Sequence, residues 1–586
     1  MKSKKINYKI LYISIILLGT LFILISCFHS NMWFDESYSI AIAKHSFKEI
    51  WQIGSHDVHP VLYYIMIRIV MLITNNSIVC ARLPSCIPLI LMSILGYSFI
   101  RKEFGNKAGL IFTFFSLFFP TLLTYAGEIR MYTWAMLFVT MMFVYAYKII
   151  NNYNVREVLS DDNNIMYENK IKNKNTLLKY WIIFSIFSLA SAYTHYYALA
   201  VAAIINVGMF IYFIKAYTKS SKNDSSNYDD IKNDNKKSEK INSENIRNDN
   251  IKNESIKDGS KETIILKDRK TYKFNLISSI VSAVVQIILY LPWLFVFISQ
   301  TKVVSKGFWV KFPTPLNVIE FIYTGNIGEG SVPKYLSIPF SLISIAFLVY
   351  LIVKNWKRNS IKTKFPKTKE MLGTRTTIST TAMITTKVIA LIWVTIILIM
   401  CLASLIMKQS VFYQRYLFTL MGLFLIGFSI LLSGENKKII ATYCLCILII
   451  STILNINLIN TNYDYTNKEP MIYLKSELQQ NDWILISDQD YSGYICVATL
   501  LNDFSKVINY DVNNWNIKEA YKCYGDTILN LDEINGIKGR MWIISAINSN
   551  IPNEVAKKFN AQILDSKEFK TKYKGFEYKF TLININ

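Results

Sequence analysis

Apolar runs long enough to cross a bilayer recur along most of this 586-residue chain, and they restrict it to a bundle of spanning helices. The first goes from Ile10 to Phe28. Others lie near 82–100, 108–124, 131–149, 180–193, 196–214, 274–299, 335–353, 388–407, 416–433 and 439–459. That makes about eleven spans, most close to the ~20 residues that a hydrocarbon core of roughly 30 Å demands of a helix. A composition that is 52% apolar and 14% aromatic agrees with a polytopic α-helical membrane protein.

A net charge of +23 would also suit a nucleic-acid surface. The basic residues instead collect in alternate loops, as the positive-inside bias requires. If Lys2, Lys4, Lys5 and Lys9 are cytoplasmic, Arg101, Lys102 and Lys107 return to that side after two crossings. Lys170, Lys172 and Lys174 follow after two more, and then the groups Lys354 to Lys364 and Lys437-Lys438. An odd number of spans then places the N-terminus in the cytoplasm and everything after the last span outside it, in a cell-membrane protein with no nucleic-acid partner. The first run has no small-residue cleavage site after it and reads as an uncleaved signal anchor. Six of the eight cysteines lie in or beside apolar segments, where Cys packs as a small hydrophobe. Only Cys496 and Cys523 are placed to bridge outside, with two free thiols as the alternative.

The spans and their loops form a module over 1–459. Within it, about 219–262 is low-complexity sequence of Asn, Lys, Asp, Ser and Glu, expected to be a disordered cytoplasmic loop. A polar connector at 362–386 reads the same way. From 460 to 586 the texture changes to short β-branched runs such as Trp483–Ser487, Tyr494–Leu501, Val507–Tyr510 and Met541–Ser545, alternating with helix-like stretches. This predicts a small extracytoplasmic α/β domain. Asp488 and Asp490, at the end of a predicted strand, read as turn residues.

Residues suited to chemistry gather at one inferred face. The external loop 29–81 is long for a connection and carries Asp35, Glu36, His45, His56, Asp57 and His59. Its stretch Val61 to Ile73 is too short to span and suits a helix in the interface. Arg82 opens the next span. Glu128, Arg130 and Tyr132 stand in Gly127-Glu128-Ile129-Arg130-Met131-Tyr132, His195 in Thr194-His195-Tyr196, and Arg415 in Gln414-Arg415-Tyr416. Ionisable groups at membrane depth are costly, so this many on one face marks a site more than snorkelling does.

In order, the motifs Trp33-Phe34-Asp35-Glu36-Ser37, Asp57-Val58-His59-Pro60, Arg82-Leu83-Pro84-Ser85, Gly127 to Tyr132, Thr194 to Tyr197 and Gln414-Arg415-Tyr416 resemble the bacterial protein O-mannosyltransferase and aminoarabinose-transferase group. These are GT-C glycosyltransferases that use polyprenyl-phosphate-linked sugars. The resemblance covers about 10 to 433 and departs from the family at Val61, where a second proline is usual. It implies a GT-C fold, a polyprenyl-phosphate sugar as donor, an extracytoplasmic acceptor and no required cofactor. It also implies Asp35 as catalytic base with Glu36 supporting it. Arg82, Arg130 and Arg415 match basic positions suited to the donor phosphate, since guanidinium binds phosphate bidentately.

His56, Asp57, His59, Glu128, Tyr132 and His195 are further site candidates. The loop carboxylates and histidines offer ligands for Mg²⁺ or Mn²⁺, in no strong metal signature. Two other functions fit many spans with polar ends: a transporter or flippase of lipid-linked saccharides, and a scaffold presenting the C-terminal domain. No matched pair of interrupted helices, the mark of many transporters, is evident.

Overall fold

The computed structural model describes residues 7–151, 155–159, 165–169, 174–241, 254–307, 310–325, 332–364, 380–487, 496–501, 506–510, 512, 515–534 and 536–586. Among them, nine helices are long and apolar enough to cross a membrane. The bent pair Asn106–Phe118 and Pro120–Ala126, which turns by 46°, makes a tenth if the two helices count as one span. The cause is local: Pro120 lacks an N–H and pushes Phe119 out of helical backbone, to ψ 125°. The first expected span is the helix Tyr8–Leu24, shorter than the rest at 17 residues. Leu17, Leu18, Ile287, Ile288 and Leu405 point outward, as lipid-facing side chains do.

The backbone forms two compact units: 1–140 with 192–198 and 294–586, and 141–191 with 199–293. The smaller unit contains an antiparallel hairpin, β1 (Val155–Leu159) with β2 (Ile165–Asn169), which the sequence reading did not anticipate. Its helices are joined by a polar seam. Trp181 Nε1 donates to Asn275 Oδ1 at 3.0 Å, Ser188 Oγ to Gln286 Oε1 at 2.6 Å, and Asn206 Nδ2 to the same Gln286 oxygen at 3.1 Å. Such bonds hold helices together where lipid offers polar groups no partner.

In the larger unit, the helices Ile78–Phe104 and Asn106–Phe118 touch backbone to backbone. A Cβ on Gly109 would stand 2.8 Å from Gly96 O and 2.8 Å from Arg101 Cβ. Tyr12 closes the same junction by donating to Asn106 O at 3.2 Å. The long loop 29–81 is ordered as three helices: Phe34–Ala43, Phe47–Ser55 and Leu62–Ile73. Ser46 and Glu49 cap the second reciprocally, with Ser46 N donating to Glu49 Oε2 at 2.9 Å. The third buries Tyr63, Tyr64, Ile67 and Met71 and exposes Ile69, Leu72 and Ile73, the two-faced pattern expected of it.

Helical backbone enters the low-complexity segment from both sides, as Tyr196–Ile241 and Glu254–Lys306, where disorder was expected over about 219–262. A helix already nucleated in a span extends at little cost into Lys- and Glu-bearing sequence. Residues 242–253 lie outside the described residues, as do 365–379 of the second connector.

After the last span, which ends at Asn462, strands and helices alternate as expected and build a C-terminal sheet. This mixed six-stranded sheet runs β5 (Asp526–Ile528), β4 (Val507–Tyr510), β3 (Trp483–Ser487), β6 (Gly539–Ser545), β8 (Glu577–Ile585) and β7 (Gln562–Lys570). The first four are mutually parallel and β8 and β7 close the sheet as an antiparallel hairpin. Leu485, Ile508, Met541, Ile543, Val555 and Ile583 fill one core. β7, largely exposed and charged, is a protected edge. Within the run Tyr494–Leu501, Cys496–Leu500 is a helix. Asp488, Asp490 and the side chain of Cys496 lie outside the described residues, and Cys523 is a free thiol.

The Gly96–Gly109 contact predicts that Gly109→Ala lowers the thermal midpoint in detergent, since overpacking costs ~1–3 kcal/mol. An unchanged midpoint would show that the junction is slack.

Candidate active site

Asp35 and Glu36 are neighbours in sequence but not in environment. They open the helix Phe34–Ala43, where acidic residues in the first turn favour the positive end of the helix dipole. Successive helical residues point about 100° apart, so Glu36 turns into the protein and is fully buried, while Asp35 turns toward Arg130 and Arg415 and stays 29% exposed.

Glu36 pairs with Arg82, itself 1% exposed, through Arg82 Nη1 to Glu36 Oε1 and Nη2 to Oε2 at 3.3 Å. The remaining Arg82 donors reach backbone carbonyls: Nε to His29 O at 3.3 Å, Nη1 also to Gly127 O at 2.6 Å, and Nη2 to Asn31 O. Glu36 further accepts from Ile129 N at 3.0 Å, from Trp33 N at 3.4 Å and from the Tyr573 hydroxyl at 3.0 Å. All five N–H groups of Arg82 are thereby engaged. Arg82, expected at the donor phosphate, thus spends its donors on Glu36 and backbone carbonyls, although it also lines the cleft that holds Arg415. Glu36 likewise serves as the anchor of this clamp.

Arg130 and Arg415 converge on Asp35. Arg415 Nη1 lies 3.6 Å and Arg130 Nη2 3.7 Å from Asp35 Oδ2. Arg130 Nη1 also donates to Asp35 O and Ser39 Oγ, both at 3.3 Å, and Ser39 Oγ donates to Asp35 O at 2.7 Å. Arg415 stacks over the Trp33 ring at 5.1 Å and over Tyr413 at 5.5 Å. The Nε atoms of both arginines are buried and unpartnered. Arg415 lines a cleft of about 80 Å³ together with Arg82, Glu128, Tyr573, Lys574 and the apolar Leu123, Leu454 and Leu458. Burial raises the Glu128 carboxyl above the usual range, offset by Lys574 and Arg415 nearby.

Beside Asp35 sits a cluster of rings. His195 packs against Tyr416 at 4.9 Å, Tyr132 at 5.8 Å and His59 at 5.9 Å. Tyr197 N donates to His195 Nδ1 at 3.1 Å, which leaves its buried Nε2 unpartnered. Burial pushes His195 down to about 3 and, with Arg130, His195 and Arg415 adding to it, holds His59 well below its ordinary value. Both are neutral imidazoles at physiological pH. Tyr64 donates to Asp57 Oδ2 at 2.8 Å, and His59 Nδ1 lies 3.9 Å from that oxygen.

His56 stands apart from this cluster. It caps the helix Phe47–Ser55 and packs on Trp515 at 4.2 Å, so it is not brought to Asp35. Among the described residues no three His, Cys, Asp or Glu side chains converge on a metal position, so the loop ligands considered for Mg²⁺ or Mn²⁺ do not form a set. Sequence reasoning missed Trp33, Tyr573 and Lys574. Trp33 lay inside the first motif, whereas the other two reach the site only through tertiary contact.

By sequence, the chain matches no family model and no curated protein. By structure it is similar to ArnT from Cupriavidus metallidurans. The apo crystal structure of that protein superposes with a TM-score of 0.55 over 99% of this chain and 98% of that chain, at 8% identity. The structure of ArnT bound to undecaprenyl phosphate gives 0.51 over the same shares, also at 8% identity. The chain has the ArnT fold. That is the GT-C fold expected from the motifs, in a multi-pass membrane protein, and the likeness to ArnT extends through the C-terminal sheet.

Two outcomes test this geometry. Arg82→Met leaves Glu36 buried without a counter-charge, which costs ~3–5 kcal/mol, so thermal unfolding in detergent will begin at markedly lower temperature; a variant as stable as wild type would return Arg82 to the ligand sites. His59 and His195 contribute stability that is present above the unfolded pKa of about 6.5 and lost as pH falls below it, by up to ~1.4 kcal/mol per pH unit for each. The double variant His59→Asn, His195→Asn will therefore show a shallower fall in thermal midpoint from pH 7 to pH 5 than wild type.

Proposed function

We propose that this protein is a membrane glycosyltransferase that moves a sugar from a polyprenyl-phosphate donor to an acceptor hydroxyl, with inversion at the anomeric carbon. The observation that carries the reading is Asp35, a partly exposed carboxylate held between Arg130 and Arg415, the second of which lines a cleft with both cationic residues and leucines. The binding of undecaprenyl phosphate by ArnT, which has the same fold, supports a lipid phosphate as the donor's carrier.

In this mechanism Asp35 accepts the proton of the acceptor hydroxyl as its oxygen attacks the anomeric carbon. The bond from that carbon to the phosphate oxygen breaks, and the electron pair leaves on polyprenyl phosphate. Arg415, at the cleft, stabilises the charge growing on the leaving phosphate, the kind of electrostatic help that contributes most when donors are already in position. Arg130 holds Asp35 at both its backbone carbonyl and its carboxylate, and with Arg415 it supplies the positive charge for the donor. The neutral His195, with a free buried Nε2, and the rings of Tyr132 and Tyr416 form a wall suited to a sugar's hydroxyls and apolar face. Inferred topology places this reaction outside the cytoplasm, with the acceptor a protein, glycolipid or wall polymer.

Asp35→Asn will reduce transfer by at least ~10²-fold, as loss of a positioned base does. In cells, mass spectrometry of envelope glycans and glycoproteins will show the same missing sugar mass for Asp35→Asn as for the gene deletion. Retention of that mass at normal protein abundance would reject Asp35 as the base.

A further inference from the structure

The hairpin that joins β7 to β8 has no assigned role, yet it reaches from the C-terminal sheet into the site. Thr571 N donates to Phe576 O at 2.8 Å across it. Its position is fixed by the segment that follows the last span: Lys572 N donates to Thr466 Oγ1 at 3.2 Å, Tyr573 N to Asn467 Oδ1 at 2.8 Å, and Lys572 Nζ to Asp464 Oδ2 at 3.2 Å. Held there, Tyr573 is buried and donates to Glu36. Lys574 projects into the cleft with Arg415 and Glu128, its Nζ 5.0 Å from the Trp33 ring that Arg415 also covers.

Two observations point to an anion site. Two cations, Arg415 and Lys574, share one indole and one small cleft; Asp35 lies 3.6 Å from Arg415, and one oxygen of Glu128, which lines the same cleft, is buried without a partner. The backbone of Lys574 is also unfavourable for its residue type, with φ 56° followed by Gly575 at φ 63°. Consecutive positive φ values are the pattern of a type I′ turn, whose first central position prefers Asn, Asp or Gly. A lysine at a position that Asn would fill with less strain is a local conflict of the kind found at functional sites.

We infer that Lys574 is a ligand of the donor's phosphate, so that the C-terminal domain completes the active site through this hairpin. Tyr573 is a positioning residue that docks the hairpin on Glu36. The inference rests on the donor reading above. A polyprenyl phosphate would lay its chain along Leu123, Leu454 and Leu458 and its phosphate between Arg415 and Lys574. The C-terminal domain is then needed to hold the donor, beyond any part it has in choosing the acceptor.

The test is the binding of undecaprenyl phosphate and of undecaprenol to the purified full chain in detergent, measured by native mass spectrometry. Lys574→Asn suits the turn and keeps the fold, which the thermal midpoint checks. It will weaken binding of the phosphate about tenfold while leaving the alcohol unchanged. Lys574→Arg will retain the preference for phosphate, and Lys557→Asn, which removes a charge from an exposed helix elsewhere in the domain, will leave it intact. If Lys574→Asn binds undecaprenyl phosphate as wild type does, or if Lys557→Asn weakens it equally, the inference is overturned. A wild-type chain that does not distinguish phosphate from alcohol would instead overturn the donor reading on which it rests.

Discussion

The buried pair of Arg82 and Glu36 is the interaction on which the site depends. One guanidinium, with all its donors engaged, ties the segment after the first helix, at His29 and Asn31, to the turn at Gly127, and through Glu36 to the helix that carries Asp35. Taking two charges out of water is expensive, and the geometry repays it only because the remaining lone pairs and protons are also satisfied. Ile129 N, Trp33 N and Tyr573 do that for Glu36. What the pair secures is direction: with Glu36 fixed inward, helical geometry leaves Asp35 facing Arg130 and Arg415.

The cleft beside Asp35 shows the opposite economy. Arg415, Lys574 and Glu128 leave charge and hydrogen-bonding capacity unspent, with Arg415 Nε and a Glu128 oxygen buried and unpartnered. Groups left in that condition are poor contributors to stability and well suited to a ligand that brings the complementary charge. Arg82 and Arg415 line the same cleft, and they differ in that every donor of the first has a partner while the Nε of the second does not.

Much of this was legible in the sequence because the strongest signals are also the simplest. Long apolar runs predict spans, a change of texture after residue 459 predicts the α/β domain, and the motifs around Asp35, Arg130, His195 and Arg415 name residues that do meet. What the sequence did not show has physical causes. Arg82 and Arg415 have the same side chain in similar contexts, and only the carbonyls around each show which has every donor engaged. His56 lies in the same loop as Asp57 and His59, but the end of a short helix turns it to Trp515. Tyr573 and Lys574 are more than five hundred residues from Trp33 and Glu36 in sequence, and no local pattern announces a contact set by how a hairpin tip docks.

On the proposed mechanism Asp35 accepts the proton of the hydroxyl that attacks a sugar carried by a lipid phosphate, so loss of its carboxylate leaves the donor intact. The most direct measurement is native mass spectrometry of the Asp35→Asn protein purified from its own cells beside the wild type. The account predicts that the variant retains an intact polyprenyl-phosphate sugar, whose mass identifies the sugar, while the wild type carries the polyprenyl phosphate left after transfer. A variant holding the same bare lipid as wild type, or no lipid phosphate in either protein, would contradict it.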